Sequence, residues 1–468
     1  MKLKSILTNS FGILFSRVTG LLRDLLMASA LGASIYSDMF FVAFKLPNLF
    51  RRIFAEGAFT QAFLPSFIAS KHKGVFAVAI FLRFMLFLVI LSIFVSFFPE
   101  FLTKLLAFGW SEEIINQASV LTAINFWYLD LVFIITFLAT LLQYREHFAT
   151  TALSTALLNL SMITALWIYM HDSPKNIAYA LSFAVLVGGV LQILAHIFTI
   201  YKFKLHRLLI GGWRYRKSRD IDDEKKRFQS SFIPAIWGNS TAQLNAFIDT
   251  FLASFLVSGS ISYLFYANRI FQLPLALFAI ATATALFPSI SKSINSGKEE
   301  EAYQNLTKAF WILSFALGFA TVGGVLLSEP IIWLLFERGN FTEASTIESS
   351  NVLMMYMVGL LPFGLAKLFS LFLYASHAQA KAAKIATYSL VVNIISSLIL
   401  MKYMGVQGLA LAGSIGGWVL FIFTVKEVGG EEFSKMLKSI KSIYFILSMA
   451  IFGLFLYWVN GILIEVIR

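Results

Sequence analysis

Along this chain, apolar residues run in long blocks separated by short polar or charged stretches. A helix needs roughly 20 apolar residues to cross the hydrocarbon core of a bilayer. By that ruler, candidate spans lie near 6–30, 36–68, 75–98, 114–142, 148–170, 176–200, 229–256, 262–291, 304–328, 346–374, 381–401, 406–426 and 442–464. The pattern predicts an all-α polytopic membrane protein of about thirteen transmembrane helices. The second, fourth, eighth and tenth spans are longer than a bilayer requires, which predicts tilt or kinking. Pro47, Pro274 and Pro362 are the expected kink points.

The polar connections predict an orientation. With the N-terminus inside, the cytoplasmic connections include Lys71-His-Lys73, Tyr144-Arg-Glu-His147, the long 201–228 segment, 291–308, 377–384 and 426–441. The outer connections, such as 99–113 and 171–175, are poor in Lys and Arg. Cytoplasmic loops carry the excess of basic residues. The bias therefore predicts a cytoplasmic N-terminus and, with an odd number of spans, Arg468 outside.

Composition agrees with the pattern. Of 468 residues, 58% are hydrophobic and only 13% charged, about half the charge of an ordinary soluble domain. The 49 Phe and 9 Trp suit a lipid-facing surface. A net charge of +12 could attract nucleic acid, but basic residues in a membrane protein mostly set topology; no nucleic-acid partner is expected. No cleavable signal peptide is evident, because Arg17, Arg23 and Asp24 interrupt the first apolar stretch.

Six spans precede the basic 201–228 segment and seven follow it. The two halves share a weak repeat. Phe44-Lys-Leu-Pro47 leads to Leu64-Pro-Ser-Phe67 in the first, and Phe271-Gln-Leu-Pro274 leads to Phe287-Pro-Ser-Ile290 in the second. Both pairs fall on the second helix of their half in the same orientation, so the repeat is parallel, a transporter design. The expected organisation is a first lobe at 1–200, a basic cytoplasmic linker at 201–228, a second lobe at 229–427 and one extra C-terminal helix at 428–468. The linker is read first as a connection with positive-inside bias, and second as a segment that can rest on anionic lipid headgroups.

Charge inside the apolar blocks is the informative exception. It is costly there and normally faces a cavity or a partner. Arg17 lies about eleven residues into the first span, roughly 16 Å along the axis. At 100° per residue Arg17 and Asp24 share one face to within about 20°, with Gly20 between them, whereas Arg23 points about 100° from Asp24. About 10 Å of rise separates Arg17 from Asp24, so each is expected to have its partner elsewhere.

On the second span, Arg52 and Glu56 have the i,i+4 spacing of a helical ion pair. Arg51 is left to face the cavity, and Asp38 stands near the outer mouth, as a gate or simply hydrated. In the second half Arg269 is the strongest intramembrane cation. Arg83, Asp130, His196 and Lys367 read as structural or interfacial. Arg17, Arg23, Arg51 and Arg269 therefore remain as cavity cations. Arginine stays charged when desolvated and binds phosphate oxygens with a planar fork, so the expected cargo is anionic.

Enzyme signatures are missing. There is no Walker A, HExxH or GxSxG sequence, the six His lack metal-ligand spacing, and with no Cys there is no thiolate chemistry. The Gly pairs beginning at Gly188, Gly211, Gly323 and Gly416 suit close helix packing. No catalysis and no cofactor are expected.

The run Ser16-Arg-Val-Thr-Gly-Leu-Leu-Arg-Asp24, followed by Asp38-Met-Phe-Phe-Val-Ala-Phe-Lys-Leu-Pro-Asn-Leu-Phe-Arg-Arg-Ile-Phe-Ala-Glu-Gly-Ala-Phe59, resembles the MurJ/MviN family, bacterial lipid II flippases of the MOP exporter superfamily. Tyr266-Ala-Asn-Arg269 through Leu286-Phe-Pro-Ser-Ile290 is similar to the corresponding second-lobe helix. The resemblance implies two lobes around a central cationic cavity in the cytoplasmic (inner) membrane. The implied cargo is lipid II, the undecaprenyl-diphosphate-linked disaccharide-pentapeptide of peptidoglycan synthesis, moved by alternating access. It places Arg17, Arg23, Asp24, Asp38, Arg51 and Arg269 among the functional positions, with Arg23, Arg51 and Arg269 as the diphosphate trio. Family members usually have fourteen helices, and this chain shows one span after the twelfth. Some members have a sodium site; Asp249 and Asn393 are the candidates here, with Ser397 where a second carboxylate would be welcome.

The alternatives are a flippase for another polyprenyl-diphosphate oligosaccharide, a cationic-drug exporter, which would want acidic cavity residues, and an intramembrane glycosyltransferase, which would want a catalytic carboxylate on a sizeable outer loop. Coupling to sodium, protons or membrane potential is expected in place of ATP. A monomer is expected, with lipid II and membrane lipids as partners and cell-wall synthesis proteins as candidate partners.

Overall fold

The computed structural model describes residues 3–51, 58–218 and 220–467, and every regular element among them is helical. The chain divides into two compact units, Met1–Ser258 and Gly259–Arg468.

The first unit contains α1 (Leu3–Leu31), α2 (Ile35–Phe50), α3 (Thr60–Ala69), α4 (Lys73–Phe97), α5 (Pro99–Leu106), α6 (Glu112–Phe126), α7 (Tyr128–Tyr144), α8 (Ala149–Tyr169), α9 (Pro174–Lys202), α10 (Leu205–Arg214) and α11 (Asp222–Ala253). Helix α1 lies against α8, α8 against α9, α2 against α6, and α7 against α9. At Gly188 on α9 an added Cβ would come within 2.8 Å of the Leu158 backbone on α8, so glycine sets that close approach.

Phenylalanine makes much of this unit's core. Phe63 sits 5.5 Å from Phe67, 5.4 Å from Phe76 and 5.7 Å from Phe137, centroid to centroid. Phe228 and Phe232 bring the start of α11 into the same cluster, with Phe84–Phe232 at 5.1 Å. Such pairs each contribute about 0.5–1.5 kcal/mol beyond burial. The lipid-facing assignment of Phe therefore holds only in part: Phe87, Phe97 and Phe198 are exposed, whereas Phe59, Phe63, Phe67, Phe76 and Phe228 are fully buried. The cluster also explains why α11, grouped with the second half by sequence, packs on α3 and α4 in the first unit. The basic 201–228 segment is not a plain connection, since ten of its residues form α10.

The second unit contains α12 (Ser260–Pro274), α13 (Ala281–Asn295), α14 (Glu299–Leu326), α15 (Ser328–Phe336), α16 (Glu343–Met357), α17 (Leu360–Ala375), α18 (Gln379–Leu437) and α19 (Ile440–Ile467), with a π-helical segment, Leu275–Ile280, joining α12 to α13. Helix α19 lies on α14 through Phe319–Phe452 at 4.9 Å and Phe315–Phe445 at 5.5 Å. Its other faces are apolar and exposed.

All four spans read as overlong are interrupted. Pro47 is followed by a π-helical turn at Arg51, and Pro274 leads directly into the π segment. The fourth span breaks at Trp127 between α6 and α7, and the tenth at 358–359 between α16 and α17, where Pro362 stands in the first turn. Two of the three expected prolines thus adjoin π-helical irregularities, which are rare and cluster at functional places.

Helix α18 is not one straight rod. Gly405 has φ 55° and ψ −132°, and Gly429 has φ 148°. Ser389 Oγ donates to the Gly416 carbonyl at 2.7 Å across 27 residues, a distance of about 40 Å in a continuous helix. The chain therefore reverses at Gly405 into two antiparallel stretches matching the expected spans 381–401 and 406–426. Only glycine takes the Gly405 conformation freely. Gly405→Ala is expected to cost about 1–3 kcal/mol and to lower the melting temperature in detergent. Gly413→Ala is the control, since its Cβ would meet only Tyr356 at 3.8 Å; equal melting of the two variants would remove strain as the reason for glycine at 405.

Nine helices among the described residues are long and apolar enough to cross a membrane, with the α18 hairpin counted once. The protein is a multi-pass α-helical membrane protein.

Candidate functional site

Arg23 and Asp24 are adjacent in the last third of α1, and both are buried, at 8% and 0% exposure. Arg23 Nη2 lies 2.7 Å and Nε 3.0 Å from Asp24 Oδ1, while Nη1 donates to Asn159 Oδ1 of α8 at 3.0 Å. The expectation that Arg23 opens onto a different sector from Asp24 is corrected: the arginine is long enough for its guanidinium to fold back along its own helix to the neighbouring carboxylate. Asn159 completes the arrangement, its Nδ2 donating to the Ser16 carbonyl at 3.0 Å and to Thr19 Oγ1 at 3.1 Å. One amide side chain thus joins a buried ion pair to the backbone of α1. Arg17 is exposed, with no ion-pair partner among the described residues.

Asp38 is in the first turn of α2, behind a capping box in which Ser34 Oγ accepts from the Ser37 backbone at 3.4 Å. Its exposure is 2%, so it is not a hydrated residue of an open mouth. Arg52 and Glu56, the expected ion pair, lie outside the described residues.

Arg51, at the π-helical turn after α2, is half-buried and lines a cavity of about 230 Å³ wholly within the first unit. Thr60 of α3, Thr136, Thr140 and Gln143 of α7, and Thr151, Ser154 and Thr155 of α8 share the lining. Thr60 and Thr140 are 3.3 Å apart, and Tyr128 Oη donates to Gln192 Oε1 at 3.3 Å. Hydroxyls and amides in an apolar bundle belong where a polar group enters. One guanidinium among nine neutral hydrogen-bonding side chains, Tyr128 and Gln192 included, can hold an anion and hydrogen-bond its polar surroundings.

In the second unit Arg269 of α12 is half-buried, its guanidinium 5.4 Å from the Phe265 ring centroid, within cation–π range. It precedes Gln272, whose amide donates to Asn268, and the π segment beyond Pro274. The two candidates for a sodium site belong to different units, Asp249 to α11 of the first and Asn393 to α18 of the second. Asp249 Oδ1 is buried without a hydrogen bond among the described residues, and its carboxylate feels the charge of Lys45 on α2. Asn393 Oδ1 accepts from Ser397 Oγ at 3.2 Å.

Sequence reasoning missed Asn159 and undervalued Asp130. Asp130 is buried on α7, and Ser92 Oγ of α4 donates to its Oδ2 at 2.5 Å. The available signal was a polar side chain inside an apolar span. The other residues set aside keep bland settings: His196 is buried with Nδ1 2.8 Å from the Gln192 carbonyl, and Arg83 and Lys367 are exposed.

The family model for lipid II flippase MurJ matches residues 27–466. A probable lipid II flippase MurJ of Helicobacter pylori is 50% identical over 436 residues, covering 91% of this chain and 94% of that protein. One from Aquifex aeolicus is 32% identical over 429 residues, covering 90% and 82%. A solved structure of lipid II flippase MurJ in an inward closed conformation is similar, with a TM-score of 0.78 at 26% identity, covering 98% of this chain and 99% of that one. An inward-facing multidrug resistance MATE family transporter of the MOP superfamily shares the fold, with a TM-score of 0.70 at 14% identity over 93% of this chain and 99% of its own.

Proposed function

The chain belongs to the lipid II flippase MurJ family, and from that premise we propose that it carries lipid II from the inner to the outer leaflet of the bacterial cytoplasmic membrane. The observation carrying this reading is 50% identity to a probable lipid II flippase along nearly the full length of both chains. The physical problem it solves is a diphosphate and sugar-peptide headgroup that cannot enter hydrocarbon, attached to a polyprenyl tail that can stay there. Arginines set in the membrane stabilise the diphosphate during passage, because their charge survives desolvation. Arg23, Arg51 and Arg269 are its ligands in this reading, with Arg17 drawing the headgroup in. Asp24 and Asp38, with Arg52 and Glu56, hold the frame or gate it.

The process is alternating access by two lobes, the first extending through α11 to Ser258 and the second beginning at Gly259, with no bond made or broken. The N-terminus is cytoplasmic and the C-terminus outside, by the basic bias of the connections. The working unit is a monomer that delivers lipid II to cell-wall synthesis proteins. Membrane potential or an ion gradient drives the cycle. Protons or sodium are the candidate ions, with Asp249 and Asn393 as the sodium candidates.

The test is headgroup accessibility. Purified protein is reconstituted into vesicles holding labelled lipid II in the inner leaflet, and headgroups reaching the outer leaflet are captured by an impermeant probe. Protein-dependent transfer of intact lipid II is expected. Appearance of polymerised glycan would make the protein a glycosyltransferase, and no transfer above empty vesicles with an imposed potential would remove the flippase reading.

A further inference from the structure

Helix α10 lies between α9 and α11 and has no counterpart among the long apolar spans. Its sequence, Leu205-His-Arg-Leu-Leu-Ile-Gly-Gly-Trp-Arg214, is strongly two-sided. Leu205 and Gly212 are buried, whereas Ile210 and Trp213 are 58% and 51% exposed. Tyr201 and Tyr215 are exposed on either side of it, and Lys202, Lys204, Arg207, Arg214, Arg216 and Lys217 flank the aromatic residues along the chain. The Arg216 guanidinium lies 3.9 Å from the Trp213 ring centroid. Exposed Trp and Tyr interleaved with Lys and Arg, on a short helix at the end of a span, is the composition of a membrane–water interface.

A second feature adjoins this surface. The start of α4 packs on α10 so closely that a Cβ on Gly212 would lie 2.0 Å from the Gly74 carbonyl oxygen. Beside that contact is a cavity of about 310 Å³ lined by His72, Lys73, Arg207, Gly211 and Tyr215. Lys73 Nζ also contacts the Ser70 carbonyl at 2.9 Å. Helix α4 starts here with no side-chain cap, leaving first-turn N–H groups that favour an anion. An added Cβ on Gly211 would meet nothing within 4 Å, so the glycine faces open space. The nearby carboxylates stand on α11 or just before it: Asp222 is paired with Lys225 at 2.9 Å, Glu224 accepts from Ser70 Oγ at 3.4 Å, and Asp220 and Asp223 complete the group. None of them lines the cavity.

We propose that the cavity between α10 and the start of α4 binds the phosphate headgroup of an anionic phospholipid from the leaflet on that side, with Lys73 and Arg207 facing the phosphate and Ile210 and Trp213 seated at the acyl boundary. A soluble anion would use the cations but has no use for the exposed apolar face, which is the reason to commit to lipid. This site belongs to the first unit alone and is independent of the lipid II assignment. It holds a resident lipid against the start of α4 and against α10, the helix that leads from α9 into α11.

The experiment uses the full-length protein in mild detergent with equimolar dioleoylphosphatidylglycerol and dioleoylphosphatidylcholine, and counts retained lipid by native mass spectrometry. Wild type is expected to keep one phosphatidylglycerol in preference to phosphatidylcholine. Juxtamembrane cations contribute on a scale that makes the double substitution Lys73→Ala/Arg207→Ala a loss of about thirtyfold in that preference. Lys73→Arg/Arg207→Lys is expected to keep it. Gly211→Phe, which fills the cavity without changing charge, is expected to lose it. Equal retention of the two lipids by wild type overturns the proposal, as does an undiminished preference in both the alanine and the Gly211→Phe proteins. Displacement of the lipid by millimolar inorganic phosphate would reassign the cavity to a free anion. Loss confined to Arg269→Ala would place the lipid elsewhere.

Discussion

Arg23→Ala is expected to cost the folded protein about 3–5 kcal/mol, because it removes one partner of a buried ion pair and leaves the other's charge in a low dielectric. Asp24 is fully buried, and Arg23 is also the group through which Asn159 of α8 reaches the pair. The loss should therefore appear as a large fall in melting temperature and weaker docking of α1 on α8. Arg23→Met/Asp24→Asn removes both charges and roughly keeps volume, so most of the stability should return. Transport should not return if the guanidinium also meets the diphosphate. The two readouts separate roles that a single alanine variant confounds. A stable, actively transporting neutral pair would limit Arg23 to holding α1, and wild-type melting of Arg23→Ala would deny even that.

The same pair shows how far the sequence carries. Block length located the helices well, because hydrocarbon thickness imposes one ruler on every span. Even the hairpin reversal at Gly405 falls in the short interval between two expected spans. Facing was much less legible. In water a helix declares its buried side by polarity, but within a bilayer the lipid side and the packed side are both apolar. The fully buried Phe63 and the exposed Phe87 therefore look alike in sequence. Angular position on a helix wheel separated Arg23 from Asp24, yet a guanidinium on a three-carbon stem reaches past its own sector. Asn159 was invisible as a partner until α8 packed on α1. Helix α10 reads from sequence mainly as part of a linker because its ten residues, although two-sided, are too short for the span-length ruler and lie in a 201–228 segment that carries ten Lys and Arg. Proline marked the irregular places more faithfully than it marked simple bends, since both Pro47 and Pro274 stand beside π-helical geometry.

Arg51 and Arg269 provide the sharpest test of transport itself, because both are half-buried and neither has the near-complete burial of Arg23. A hydrogen bond to a charged group contributes about 1.5–3 kcal/mol. Arg51→Ala or Arg269→Ala is therefore expected to slow headgroup transfer about tenfold to a hundredfold where the diphosphate is bound through the barrier. Lysine keeps the charge and loses the planar fork, so Arg51→Lys and Arg269→Lys should fall between wild type and the alanine variants. Arg51→Ala/Arg269→Ala, with both cations gone, should lie below what a flippase-depleted strain needs to grow. Rates are compared at equal amounts of folded, inserted protein, because truncating Arg51 also enlarges the cavity it shares with Thr60, Thr136 and Thr140. Lysine variants as slow as alanine would make fork geometry decisive. Lysine variants as fast as wild type would reduce the requirement to positive charge, and wild-type transfer by the double alanine variant would take both residues out of the diphosphate site.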